Sequence, residues 1–120
     1  TGTPLGDAIE TETLNKAFGG SHTEKKPLVV GSVKTNIGHT EEVSGLAGLT
    51  KVILSMSHRI IPPHLHLNTL NPKIDLSVIP MSIPQKKSIW KCPRGKKRIG
   101  LVSSFGLQGS VANAVIEEFK

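Results

Sequence analysis

Between Leu28 and Met56 the spacing of apolar positions changes from a strand pattern to a helix pattern without a gap. Leu28-Val29-Val30 is an apolar run too brief for a helix and reads as a buried strand. A tight polar turn follows, Lys34-Thr35-Asn36-Ile37-Gly38-His39, in which Gly38 can take the backbone angles of a sharp strand-to-helix elbow. A long helix is predicted next, with Thr40 as N-cap and Glu41 and Glu42 in its first turn, where the helix dipole favours acid. Val43, Leu46, Ala47, Thr50, Ile53 and Leu54 form one stripe at helical spacing, and Leu49, Val52 and Met56 a second. A helix apolar on both sides belongs in a core, and Gly45 and Gly48 then mark a close approach to a neighbouring backbone.

On either side the pattern is plainer. Asp7-Ala8-Ile9-Glu10 has the form of a capping box, opening a helix from about Ala8 to Phe18. That helix should bury Ile9, Leu14, Ala17 and Phe18 and stop at Gly19-Gly20. From Arg59 to Pro93 lie six of the eight prolines, which excludes long regular elements and leaves short extended pieces at Ile60-Ile61 and Ser88-Ile89-Trp90. Ile99-Gly100-Leu101-Val102 reads as a buried strand, Phe105 to Ser110 as a Gly turn, and Val111 to Ile116 as a strand returning antiparallel. Helices alternating with strands imply an α/β layer architecture.

Composition narrows the class. A chain of 120 residues with 37% apolar content is one domain at most. No apolar span approaches the roughly 18 residues that crossing a bilayer requires, and no signal-like leader opens the chain, so a cytoplasmic protein is expected. The single cysteine, Cys92, excludes an internal disulfide framework and a cysteine zinc site. His64 and His66 form an H-x-H pair with no third ligand at matching spacing, so no metal is expected. Charge is uneven: the net is +6, and Lys86, Lys87, Lys91, Arg94, Lys96, Lys97 and Arg98 fall in one short stretch. Such a run is a solvated loop, a docking surface for an acidic partner, or a nucleic-acid contact. Only Trp90 offers an aromatic ring beside it, which argues against nucleic acid.

His39 is the residue whose position carries chemistry. At the positive end of a helix an imidazolium is disfavoured, and a neutral ring donates one N–H and accepts at the other nitrogen. The motif Lys34-Thr35-Asn36-Ile37-Gly38-His39-Thr40-Glu41, followed by a Gly-punctuated apolar helix, resembles the second histidine motif of β-ketoacyl synthases. Thr1-Gly2-Thr3-Pro4-Leu5-Gly6-Asp7 resembles the end of that family's first histidine motif. Ile61-Pro62-Pro63-His64-Leu65-His66 with Asn71-Pro72 resembles the stretch after the helix in type I polyketide synthases, and Val102-Ser103-Ser104-Phe105-Gly106 their last motif.

The resemblance implies the C-terminal half of a thiolase-like α/β fold, a mixed sheet packed with helices, over residues 1–120. It also implies a fragment, since Thr1 stands mid-motif and the nucleophilic cysteine of the family belongs upstream. The implied activity is decarboxylative Claisen condensation of an acyl-thioester with malonyl-carrier protein, in polyketide or fatty acid synthesis. By resemblance, His39 bonds the malonyl thioester carbonyl and stabilises the enolate, and Lys34 organises the site and adds fixed positive charge. The backbone N–H of Leu107 completes an oxyanion hole, while Thr1, Thr3 and Asn36 contact substrate or its pantetheine arm. No cofactor is bound directly; substrate arrives on the phosphopantetheine of an acyl carrier protein. The other implied partners are the N-terminal half of the same synthase domain and a second copy in a homodimer, with neither nucleic acid nor membrane. Lys87, Lys91 and Lys96 are candidate carrier-docking residues.

Three positions depart from the family pattern. Gln108 replaces a Gly, Val111 an Asn and Asn113 a His. Gln108 and Val111 motivate an alternative, a degenerate condensing domain that binds acylated carrier without elongating. Cys92, between Lys91 and Pro93 in the basic stretch, is expected to be a plain thiol, and the chain by itself inactive.

Overall fold

The computed structural model describes residues 1–76 and 80–119 and divides into two units, Thr1–Gly31 with His64–Gln85, and Ser32–Pro63 with Lys86–Lys120.

In the first unit, α1 spans Gly6–Phe18, and β1 (Leu28–Val29) pairs in parallel with a strand at Met81–Ser82. The Leu28 N–H donates to the Pro80 carbonyl at 2.8 Å and the Val30 N–H to that of Ser82 at 2.9 Å, so the ladder continues past both ends. The helix begins one residue before Asp7, with no side-chain cap, so the expected capping box does not form. Both Asp7 carboxylate oxygens instead accept the Gly2 N–H, at 3.2 and 3.1 Å, which folds the leading residues back over the first turn. The inward stripe of α1 also differs from expectation. It consists of Thr11, Leu14, Asn15 and Phe18, while Ile9 is 53% exposed and Ala17 exposed. Polar members are tolerated there because carbonyls receive them: Thr11 Oγ1 donates to Asp7 and Ala8, and Asn15 Nδ2 to Asp75.

The second unit is built on one helix and one hairpin. The turn at Lys34–Ile37 closes as a single helical turn, α2; a 3₁₀ turn at Glu41–Val43 follows, and then α3 over Ser44–His58. Arg59, in the left-handed region at φ 55°, ends α3 and donates its N–H to Met56. β2 (Ile60–Ile61), β3 (the Met81–Ser82 strand of the first unit) and β4 (Ser88–Ile89) are each two residues long. β2 and β4 pair antiparallel. β5 (Ile99–Phe105) and β6 (Val111–Glu117) form a seven-residue antiparallel ladder, from Ile99 opposite Glu117 to Phe105 opposite Val111.

Helix α3 lies along β5 in the opposite direction. A Cβ on Gly45 would stand 2.9 Å from Ser104 Oγ, and one on Gly48 would stand 3.1 Å from Val102 Cγ1. Gly100 faces Val52 and Met56, where a Cβ would come within 2.6 Å of Val52. The two helix glycines do therefore mark close approach. Met56, 6% exposed, is the centre of this core. The other apolar stripe is not covered: Val43, Leu46, Ile53 and Leu54 are about half exposed or more, with Leu46 at 65%. The expectation of burial on both sides holds for one side among the described residues. No helix among them is long and apolar enough to cross a membrane.

Candidate functional site

The turn before α3 brings three predicted site residues onto six residues of chain. Lys34 opens α2, Asn36 is its third residue, and Gly38 ends it at φ 78°, a conformation that glycine reaches without strain. His39 follows. Its Nδ1 accepts the backbone N–H of Glu41 at 2.9 Å. An accepting Nδ1 carries no proton, so the neutral ring carries its proton on Nε2 and presents Nε2–H as a donor. Thr40 does not cap the long helix, which begins only at Ser44 and has no side-chain cap; His39 instead ties down the start of the 3₁₀ turn before it. The Thr40 Oγ1 is buried without a hydrogen-bond partner among the described residues, and only its carbonyl serves the turn, accepting the Val43 N–H. Glu41 sits at φ 48°, an uncommon region for a non-glycine residue.

Lys34 is half-buried, and its ammonium makes no hydrogen bond or ion pair among the described residues. Asn36 is tied to Lys51 of α3, whose Nζ donates to Asn36 Oδ1 at 2.8 Å and to the Ser32 carbonyl at 2.9 Å. Burial pushes the Lys51 ammonium below the usual lysine range. Its surroundings account for that. Asn36 and Lys51 line an open groove of about 570 Å³ whose apolar wall is Val33, Ile37, Ala47, Leu54, Ile60 and Pro62. Lys51 is the site residue that sequence reasoning missed. Its signal was available, as the one charged residue between Ser44 and Ser57.

Leu107 stands at the tip of the β5–β6 hairpin, 109% exposed. The Gly109 N–H donates to the Gly106 carbonyl at 3.0 Å, which puts Leu107 and Gln108 at the centre of the turn. The Leu107 N–H has no hydrogen-bond partner among the described residues. Because Gly45, at the start of α3, packs on Ser104, near the end of β5, the hairpin tip and His39 lie toward the same end of the helix–hairpin pair. Gln108 is not at positive φ; Gly109 takes that conformation, at 84°. Replacing the family's Gly by Gln108 therefore meets no left-handed backbone angle at this position. Asn113 faces Ser103 across the ladder, and its Oδ1 accepts the Ser103 hydroxyl at 2.8 Å.

Thr1 and Thr3 belong to the first unit. Their hydroxyls lie 3.2 Å apart, Thr1 Oγ1 donates to Asp7 at 3.4 Å, and Thr3 Oγ1 sits where a Cβ on Gly6 would be 2.5 Å away. Of the basic stretch, Lys87, Lys91 and Lys96 are exposed, as expected of a loop. Arg98 is not part of that surface. It pairs with Glu118 at 2.7 Å and donates Nε to the Trp90 carbonyl, and Lys97 pairs with Glu117. Cys92 is half-buried and unpaired.

Residues 1–68 match the family model of the β-ketoacyl synthase C-terminal domain. The chain belongs to that family. Among curated relatives, polyketide synthase ThaG of Burkholderia thailandensis is 44% identical over 121 residues, which is 100% of this chain and 2% of that protein. Prosolanapyrone synthase of Alternaria solani is 42% identical over 120 residues, 100% of this chain and 4% of the relative. The ketosynthase from module 6 of the bacillaene synthase of Bacillus subtilis 168 superposes with a TM-score of 0.91 at 40% identity, covering 100% of this chain and 21% of that one. An oxazolomycin ketosynthase domain from Streptomyces albus gives 0.90 at 37%, covering 100% and 22%. This β-ketoacyl synthase chain thus spans a small part of its curated relatives and about a fifth of the solved ketosynthases. Its fold is the thiolase-like α/β fold expected from the motifs.

Proposed function

We propose that this chain supplies the carbonyl-polarising side of a condensing site, in a polyketide synthase that joins an enzyme-bound acyl group to malonyl on a carrier protein. The observation that carries the reading is the His39 tautomer: Nδ1 is engaged by the Glu41 N–H, and Nε2–H remains as a donor. When the malonyl carboxylate leaves as CO₂, its bonding pair moves onto the Cα–carbonyl unit and makes an enolate. Nε2–H of His39 donates to the enolate oxygen, and the Lys34 ammonium adds positive charge nearby. The enolate carbon then attacks the acyl thioester on a cysteine of the N-terminal half. The tetrahedral oxyanion takes the Leu107 N–H, and the cysteine thiolate is expelled.

The remaining assignments are drawn from the family to which the chain belongs. Thr1, Thr3 and Asn36 bind substrate or its pantetheine arm, and residues 1–120 act as the C-terminal part of a condensing domain. The N-terminal half covers the apolar stripe Val43, Leu46, Ile53 and Leu54. No cofactor is held by the chain itself, the working enzyme is a homodimer, and it operates in the cytoplasm. Lys87, Lys91 and Lys96 meet the acidic carrier. The test is His39→Ala in the intact domain. Acylation of the upstream cysteine should proceed while malonyl decarboxylation falls by about 10²–10³; lost acylation with decarboxylation intact would overturn the assignment.

A second reading, a non-elongating domain that only holds acylated carrier, rests on Val111 and Asn113. Val111 is exposed at the start of β6, and Asn113 spends its carbonyl oxygen on Ser103. Acylation of the intact domain without carbon–carbon bond formation would favour it.

A further inference from the structure

The Lys51 ammonium reaches both ends of α2. It bonds the Ser32 carbonyl just before that turn and the Asn36 side chain inside it, at 2.9 and 2.8 Å. One helical turn has too few internal bonds to hold itself; Ser32 helps to close α2, its Oγ accepting the Lys34 N–H at 3.2 Å, and Lys51 adds two further bonds. A lysine only donates, so the Asn36 atom facing Nζ must be the carbonyl Oδ1, and the two Nδ2 protons point elsewhere. No carboxylate pairs with Lys51 among the described residues, so its ammonium faces the amide it touches without a counter-ion. Such a charge-assisted bond is stronger than a neutral one and draws electron density toward Oδ1, which makes the N–H bonds better donors.

We propose that Lys51 is a positioning residue: it locks the Asn36 amide so that Nδ2–H₂ is offered to a carbonyl oxygen of the substrate. The inference rests on the reading of this segment as a ketosynthase site and adds a second oriented donor to it. Lys51 itself touches no substrate. Its side chain lines the apolar groove, whose burial of the ammonium lowers its pKa, and the bonds to Ser32 and Asn36 offset that loss of water.

The experiment uses the intact condensing domain with K51M, N36A, the double variant, N36D and K51R. Condensation is measured with carrier-bound malonyl, and unfolding in denaturant on the same proteins. K51M and N36A should each lower kcat by about tenfold to a hundredfold, the scale of a misplaced reacting group. The double variant should be no worse than the worse single one, because Lys51 acts through Asn36. N36D keeps an oxygen for Lys51 and should keep stability, yet it presents no N–H and should be as slow as N36A. K51R, which also only donates, should restore most of the rate. Multiplying losses in the double variant, or N36D at wild-type rate, would overturn the proposal. The unfolding data separate it from the function itself. A domain that acylates but never condenses, with Lys51 and Asn36 coupled in stability, refutes the catalytic reading alone; no such coupling refutes the Lys51 contact whatever the activity.

Discussion

The two nitrogens of His39 have separate duties, and two substitutions can remove them one at a time. Asparagine carries Oδ1 at the distance of Nδ1 from the backbone, so His39→Asn keeps an acceptor for the Glu41 N–H and loses the donor at Nε2. Glutamine reaches the position of Nε2 with an N–H and has nothing at the δ position, so His39→Gln does the reverse. The Nδ1 bond is a neutral, exposed hydrogen bond of 2.9 Å, worth about 0.5–1.5 kcal/mol. The Nε2 donor should be worth about 3–4 kcal/mol in the transition state, or 10²–10³ in rate. In the intact domain, then, H39N should unfold close to wild type while decarboxylating malonyl-carrier very slowly. H39Q should be the less stable and the faster of the two. The readouts are the denaturant midpoint and CO₂ release from malonyl-carrier after the upstream cysteine is acylated. The reverse order in either, or wild-type decarboxylation by H39N, would refute the division of labour.

Gly48→Val drives a branched side chain into Val102, since even a Cβ there lies 3.1 Å from Val102 Cγ1; about 1–3 kcal/mol of stability should be lost in denaturant unfolding, and an unchanged midpoint would contradict the helix–strand contact. Reversing Lys87, Lys91 and Lys96 to Glu should raise the KM for carrier-bound malonyl, most at low salt, and leave a small-molecule thioester nearly unaffected. Equal effects on both substrates would mean fold damage, and no effect on either would make the stretch ordinary surface. The chain by itself, given acyl-thioester and malonyl-carrier, should form no condensation product; turnover abolished by Cys92→Ala would show that Cys92 is a nucleophile after all.

What could be read from the residues follows the range of the forces involved. The β5–β6 hairpin was legible because Ile99 to Val102, a Gly turn and Val111 to Ile116 are local signals, and the observed ladder runs only a few residues further. The contact of Gly45 and Gly48 with β5 was legible because glycine in an apolar helix needs a reason. The parallel pairing of Leu28 with Met81 was not, since a two-residue strand among prolines carries no periodicity and its partner lies fifty residues away. Helix α1 was placed well and turned wrongly. Thr11 and Asn15 point inward because carbonyls happen to receive them, which no hydrophobic count detects. At the site, His39, Asn36 and Lys34 stood out as a motif. Lys51 did not, because its partner lies on another element and the bond exists only once α2 meets α3.

His39 and Lys51 share a feature that explains why this site is both rigid and chemically available. Each uses one polar function on the scaffold and so fixes the direction of another. For His39 the scaffold bond is Nδ1 to Glu41, and the freed group is its own Nε2–H. For Lys51 the scaffold bonds go to Ser32 and Asn36, and the freed group is the amide of its neighbour. Donors oriented in this way need no reorganisation when charge develops on a thioester oxygen, which is the main source of electrostatic catalysis. They also tolerate a mobile environment poorly, because the Asn36 amide depends on the short α2 turn staying against α3, and the His39 ring on the turn that leads into it. The close packing of Gly45 and Gly48 on β5 fixes the helix on which this turn leans. A substitution that loosens the helix from the strand should therefore reach the chemistry before it unfolds the protein: Gly45→Ala, whose Cβ would press on Ser104, should slow decarboxylation by more than its loss of stability accounts for.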